Sequence, residues 1–475
     1  MQRLALLVSR TAVRGARYYS AETSKKIDFS GFTDDILSTL TDSSTSITRP
    51  SDVINTLRYI DWNQREVAEG NQGELAETLT KACELVPVMS NGEMISILNI
   101  LSSNHKRDMK LLPVIANSLA KSRTAFTQNH VETVAYSAAS LLFQDAALLR
   151  RLSEEVQGNV SSIANWNNLR VLMGSLNRLG IGDIATWSCL VDWMKENLDA
   201  ASKAQLMPCL LSCGLANVSL PSLEELALSV AGRFSSPSLT ESPIHWLNSA
   251  YALTLIGALK QNVAEKMLRK EFLCEIANSK EAQRPGSLLL YKLKIAQINA
   301  ATKYQLKTYS GARLKKEDIF ENPSAIVESV SKLKRPKQKW VTELIHTLSY
   351  LASANHISKP MLTEDYILVD AFAELDAEGK YVSVKNWEEW LSKPSTTNGH
   401  YRLAFIFIAY NRTLRDTTRG NEDKLRPNGD CDIDIKHIKA QGFKPIVFYE
   451  QEFPEGMDVV DQVKLMKERV SNCLK

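Results

Sequence analysis

The residues of this chain best suited to chemistry are cations gathered in its downstream third. Lys332, Lys334, Arg335, Lys337 and Lys339 form one run, with Arg313, Lys315 and Lys316 shortly before it. A second group, Asn411, Arg412, Arg415, Arg419, Lys424 and Arg426, shares one polar loop, and Lys436, His437 and Lys439 follow. Cations at this density neutralise phosphates, and polar side chains among them can meet unpaired bases, which is the chemistry of single-stranded RNA binding. Charge runs also occur as solvated faces, so density alone leaves both readings open. The formal net charge is only +3, yet Lys280–Glu343 contributes about +8 and residues 1–26 about +5, leaving the remainder near −10. The basic character is therefore local.

Other chemistries lack their residues. There is no GxGxxG or GxxxxGK[ST] loop to cradle phosphates, and no HRD or DFG triplet, so a kinase reading has no support. The seven histidines show no HExxH or paired spacing, and the seven cysteines contain no CxxC pair; neither a zinc site nor a disulfide framework is indicated. Cys209 and Cys213 are one helical turn apart in the apolar run Leu206–Leu215, where small core residues are expected. We therefore expect no cofactor, metal or catalytic residue.

The elements that must position the cations are mostly helices. Residues 1–26 carry Arg3, Arg10, Arg14 and Arg17 with no acid before Glu22, the pattern of a mitochondrial transit peptide, so a matrix location is expected. Residues 27–50 are rich in Ser and Thr and read as a linker. From 51 to 285 apolar residues recur at three and four, as in Leu169, Leu172, Met173, Leu176 and Leu179, marking amphipathic helices. Small-residue turns at Leu179-Gly180, Cys213-Gly214 and Ile256-Gly257 return after about 34 and 43 residues, with looser copies at Leu101-Ser102 and Leu142-Phe143. Such returns predict an α-solenoid of about five or six helical hairpins. Residues 286–360 continue as a basic helical region. No apolar run reaches the ~20 residues a membrane span needs.

Residues 361–475 read as a compact α/β module. Tyr366–Phe372, Arg402–Tyr410 and Lys444–Tyr449 are strand-like, with a turn at Asp376–Gly379. Asp432–Gln441 and Val459–Leu474 are helical, and Gly442 ends the first of these helices.

Two stretches resemble the FAST-kinase-domain family of mitochondrial proteins. Leu289–Leu314, reading LYKLKIAQINAATKY and then YSGARL, is similar to the helix and following segment before that family's terminal domain. RLAFIFIAYNRTL through Gly429, DIKHIKAQGF, KPIVFYEQEF and DVVDQVKLMKERV resemble its C-terminal RAP domain, here about 402–470. Val369–Val382 fits the strand and turn before it. The resemblance implies a restriction-endonuclease-like topology for this domain and a role in binding mitochondrial transcripts, affecting their processing, stability or translation, with RNA-processing or ribosomal proteins as further partners.

The strand that would carry a nuclease carboxylate reads Ala404-Phe405-Ile406-Phe407-Ile408-Ala409. Substitute metal ligands exist in Asp370, Glu374, Asp432, Asp434 and Glu450, with Lys436 as the nearby base. The Asp434-Ile435-Lys436 triplet lies near a helix start, where acids also serve the helix dipole. Three classes thus frame the expectation: a non-catalytic RNA-binding regulator, which we favour, an RNA endonuclease with a degenerate metal site, and a protein-interaction scaffold or assembly factor.

Overall fold

The computed structural model describes residues 47–60, 62, 69–231, 242–320, 326–330, 338–353, 355–393, 399–418 and 424–474. The transit-like segment 1–26 and the linker as far as residue 46 lie outside the described residues. So do Lys332, Lys334, Arg335, Lys337 and Arg419.

The chain is mainly helical, with a few strands near its C-terminus. Helices α1 (Pro50–Tyr59), α2 (Glu69–Leu85), α3 (Asn91–Ser103), α4 (Leu111–Lys121), α5 (Gln128–Ser140) and α6 (Ala146–Asn159) are followed by α7 (Trp166–Arg178), α8 (Ile184–Glu196), α9 (Lys203–Leu215) and α10 (Pro221–Ala231). Next come α11 (Pro243–Ile256), α12 (Gln261–Met267), α13 (Lys270–Ala277) and α14 (Ser287–Tyr304). Alternate helices pack on one another. The odd-numbered α1, α3, α5, α7, α9 and α11 form one layer, which α14 joins by packing on α11; α2, α4, α6, α8 and α10 form the other.

The sequence writes both ends of these helices. Thr127, Asp145, Asn165 and Asp183 each cap a helix start by accepting a backbone N–H, and Ser90 with Glu93 forms a reciprocal box, satisfying donors that would otherwise be orphaned. At the other end of each odd helix from α3 to α11 the chain enters the left-handed region, at His105, Leu142, Gly180, Asn217 and Gly257. These positions return after 37, 38, 37 and 40 residues. At four of them the next N–H reaches back five residues: Lys106 to Leu101, Phe143 to Ala138, Ile181 to Leu176 and Ala258 to Leu253. This bond satisfies a carbonyl of the last turn and aims the chain into the second layer.

One expected turn is displaced. Helix α9 runs through Gly214 to Leu215, and the left-handed residue is Asn217. Gly214 instead permits close packing, since an added Cβ would stand 2.8 Å from Leu255 Cβ on α11.

The apolar interior is divided. One core extends from Val53 to Val230 and takes in Ala252 of α11, and a second joins α11–α14 to Tyr366 and Leu368, crossing the boundary expected near 285. Beyond α15 (Lys316–Ile319) and α16 (Gln338–Leu348) the strands begin: β1 (Met361–Leu362), β2 (Leu368–Val369), β3 (Ala371–Leu375) and β4 (Tyr401–Ile408), with α17 (Trp387–Ser392) between β3 and β4. Then come β5 (Thr413–Arg415), β6 (Leu425–Pro427), α18 (Gly429–Ala440), β7 (Lys444–Tyr449) and α19 (Val459–Leu474).

Strand β4 is the centre of a three-stranded sheet, antiparallel to β3 and parallel to β7. Its residues 403, 405 and 407 face α16 and α19, while 404, 406 and 408 face α18. Burial on both faces explains why LAFIFIA is apolar without alternation. The outer edge of β7 is closed locally. Pro445 has no N–H to offer, Arg469 Nη1 donates to Val447 O at 3.0 Å, and Glu452 accepts the Tyr449 N–H at 2.9 Å, which blunts pairing with another chain.

Candidate nucleic-acid interface

The polar loop after β4 packs on the turns of the helical layers. Its β5–β6 hairpin forms a parallel bridge between Arg415 and Ile181, with Gly182 N donating to Arg415 O at 2.9 Å and Arg415 N to Gly180 O at 2.8 Å. Thr417 Oγ1 donates to Ser153 Oγ at 2.9 Å in a buried contact. Asn217 Nδ2 donates to Pro427 O at 3.1 Å. The Arg426 guanidinium, half-buried, donates to the carbonyls of Asn217 and Gly182, and burial lowers its pKa. Added Cβ atoms at Gly180 and Gly429 would stand 2.6 Å from Thr413 O and 1.9 Å from Gly214 O. Backbone meets backbone along this seam.

A buried polar cluster continues it. Asp430, beside the start of α18, accepts from Tyr251 Oη at 2.5 Å and Gln297 Nε2 at 3.0 Å, and forms an ion pair with Arg412. Gln297 also donates to Asp434 at 2.8 Å. Burial, reinforced by the charge of Asp434, holds the Tyr251 hydroxyl well above its ordinary pKa; it remains a donor. Lys294, from the basic stretch, turns inward to Asn248 Oδ1 at 2.6 Å and over the Tyr251 ring, and burial pushes its pKa down to about 8. At the far end of α18, Asp365 receives Tyr304 Oη at 2.6 Å and Gln441 Nε2 at 3.1 Å, with Lys303 Nζ at 3.6 Å.

The residues expected to contact RNA stand in different surroundings. Arg412 and Arg426 are engaged by the protein itself, Arg412 by Asp430 and Arg426 by two carbonyls, while Arg415 gives its backbone to the Ile181 turn and lays its half-buried guanidinium over the Tyr410 ring at 5.0 Å. His437 is buried, with its ring 5.3 Å from that of Tyr304. Arg313 is on the surface but donates to Thr302 Oγ1 and O at 3.2 and 3.1 Å. Lys436 is exposed and paired to Asp432 at 2.7 Å. Lys315, Asn411, Lys424 and Lys439 are exposed. Lys316 and Lys339 lie on α15 and α16, their side chains outside the description. The sequence reading missed Tyr251, Gln297, Asn217 and Gly214 as docking residues, because partners 133 or more residues away leave no local signal.

The carboxylates that could replace a nuclease site are separated by their duties. Asp370 Oδ2 accepts the Phe407 N–H at 2.7 Å, extending the β3–β4 ladder one bond past the paired residues. Glu374 is held by Trp390 Nε1 at 2.7 Å and His400 Nδ1 at 2.9 Å. Glu450 accepts the Tyr410 N–H at 2.7 Å. Asp434 faces Gln297, and Asp432 faces Lys436. Among the described residues, no group of three or more His, Cys, Asp or Glu is placed to hold a metal ion.

Burial of His437 makes a pH prediction. Burial, partly offset by Asp434 and Asp365, holds its pKa below the ordinary value of 6.5. The unfolded chain takes up a proton as pH falls past 6.5 while the folded one resists. The stability present above that pH is therefore lost progressively on acidification, until the folded value is passed. Melting curves between pH 7.5 and 5 should show His437→Phe losing less stability than the parent. Equal losses would place the acid sensitivity elsewhere.

No protein-family model matches the chain, and no curated protein matches it. Among the described residues no helix is long and apolar enough to cross a membrane.

Proposed function

We propose that this chain binds single-stranded RNA in the mitochondrial matrix and acts on transcripts without catalysis, as a helical-hairpin solenoid with a RAP domain of restriction-endonuclease-like topology docked on its turns. The observation that carries this reading is the contact between the two stretches on which the family resemblance rests. Leu289–Leu314, the FAST-like stretch, supplies Gln297 and Tyr304; the RAP-like stretch supplies Asp430, Asp434 and His437, and these side chains meet directly. Segments that resemble one family and form one seam support a shared ancestry for the unit. The return of left-handed residues every 37–40 positions supports the hairpin repeat. The separate duties of Asp370, Glu374, Asp434 and Glu450 favour binding over cleavage.

Engagement of the Arg412 and Arg426 side chains in docking favours one competitor, a matrix scaffold whose basic loop is structural. The two separate on salt. RNA affinity of the purified chain should fall linearly on a log–log plot, with a slope near −0.7 per phosphate neutralised. A labelled oligoribonucleotide that fails to bind at low salt, or binds without salt dependence, would leave the scaffold reading in place.

A further inference from the structure

Because odd helices pack on odd and even on even, every odd-to-even turn emerges at one edge of the two layers. The even-to-odd turns emerge at the other. The two edges differ in charge. On the first, the turn at 104–110 exposes Lys106, Arg107 and Lys110, Arg178 is exposed where α7 ends, and Lys260 is exposed before α12. Among the described residues of those turns the acids are Asp108, Asp145 and Asp183, and each is bonded to helix-start amides: Asp108 to Lys110 N and Leu111 N at 3.0 and 2.8 Å, Asp145 to Leu148 N at 2.9 Å, Asp183 to Thr186 N at 3.0 Å. Their negative charge faces the positive ends of helices, while the cations reach solvent. The other edge, in its described turns at 86–90, 122–127, 160–165 and 197–202, carries Arg123 and Asp199, with Lys121 exposed where α4 ends and Glu196 where α8 ends.

The C-terminal module docks on the basic edge, at the turns of α7 and α9. Beyond β5, Thr418 meets Asp183 and Thr417 reaches Ser153 on α6, whose layer neighbour α4 follows the 104–110 turn, and Lys424 is exposed just before β6. Neighbouring helices lie roughly 10 Å apart, so the first basic turn stands about 20 Å from the docking turn at 180–182. A short oligonucleotide covers that span.

We propose that single-stranded RNA runs along this odd-to-even edge, with Lys106, Arg107 and Lys110 holding phosphates beside the module and Lys424 extending the track onto it. The inference rests on the RNA-binding reading and names the surface it uses. None of these residues belongs to the contiguous basic run at 332–339; Lys106, Arg107 and Lys110 share one turn, and only the fold brings that turn to the same edge as Lys424.

The test uses the full chain and a labelled single-stranded oligoribonucleotide titrated over a range of salt. The variant Lys106→Ala/Arg107→Ala/Lys110→Ala should keep the parent melting temperature, weaken binding about tenfold or more at low salt, and reduce the log–log salt slope by about 2, the share of three phosphates. Lys121→Ala/Arg123→Ala, at the opposite edge, should bind within about twofold of the parent. If the parent binds RNA and both variants match it, or both weaken it equally, the track is wrong and the RNA-binding reading stands. If the parent does not bind, the RNA-binding reading fails first and the track with it.

Discussion

Replacing Gly429 by alanine is expected to force the C-terminal module off the helical turns. An added Cβ would stand 1.9 Å from Gly214 O and 2.9 Å from Gly214 C, and both are backbone atoms fixed in the last turn of α9. No side chain can move aside, so α18 must shift, and with it the Arg426 contacts to Asn217 and Gly182 and the Asn217 bond to Pro427. Overpacking of this kind costs about 1–3 kcal/mol, and loss of the linked hydrogen bonds adds to it. The sign makes the experiment decisive. Alanine normally favours a helix over glycine by up to about 1 kcal/mol. Gly92→Ala in α3, where nothing lies within 4 Å, should therefore stabilise, whereas Gly429→Ala should lower the melting temperature and open 410–428 to protease. If both substitutions raise stability, the contact between α9 and α18 is not as described.

The sequence made the helices and the sheet legible for reasons that can be named. Val459–Leu474 and Lys444–Tyr449 match the observed α19 and β7 to the residue. One has a clear helical period and an acidic start, and the other is a short apolar run after Gly442, which adopts φ +86. The turn at Gly214 misled because glycine has two uses. It can terminate a helix, as Gly180 and Gly257 do, or admit a side chain of a neighbouring helix, as Gly214 admits Leu255.

The β5–β6 hairpin was invisible because each strand pairs over three residues, too few for alternation to register. Tertiary docking holds it. In α18 the closely spaced Lys436, His437 and Lys439 looked alike as polar residues. The helix is covered on two sides, by the sheet through Ile435 and Ile438 and by α14 through Asp434 and His437. Of those three, 436 and 439 are left to face solvent. The loop cations had the residue types of a phosphate site, and nothing local distinguishes a guanidinium aimed at phosphate from one aimed at carbonyls of a distant turn.

That ambiguity is resolved most sharply at Asp430. Asp430→Ala is expected to cost about 3–5 kcal/mol, because it leaves the largely buried Arg412 cation without its carboxylate and removes the acceptor of Tyr251 Oη. Arg412→Ala should destabilise in the same range, by stranding the anion. The pair Arg412→Met/Asp430→Leu should cost much less than the sum of the single changes, since a missing partner is penalised more than a missing pair. RNA affinity, measured below the melting transition, should follow the same cycle: both single changes lower it only as far as they unseat the module, and the double change restores it. The opposite outcome is equally readable. If Arg412→Ala melts with the parent yet binds RNA about tenfold more weakly, the guanidinium serves a phosphate, and the seam owes its hold to backbone contacts at Gly180, Gly214 and Gly429 alone.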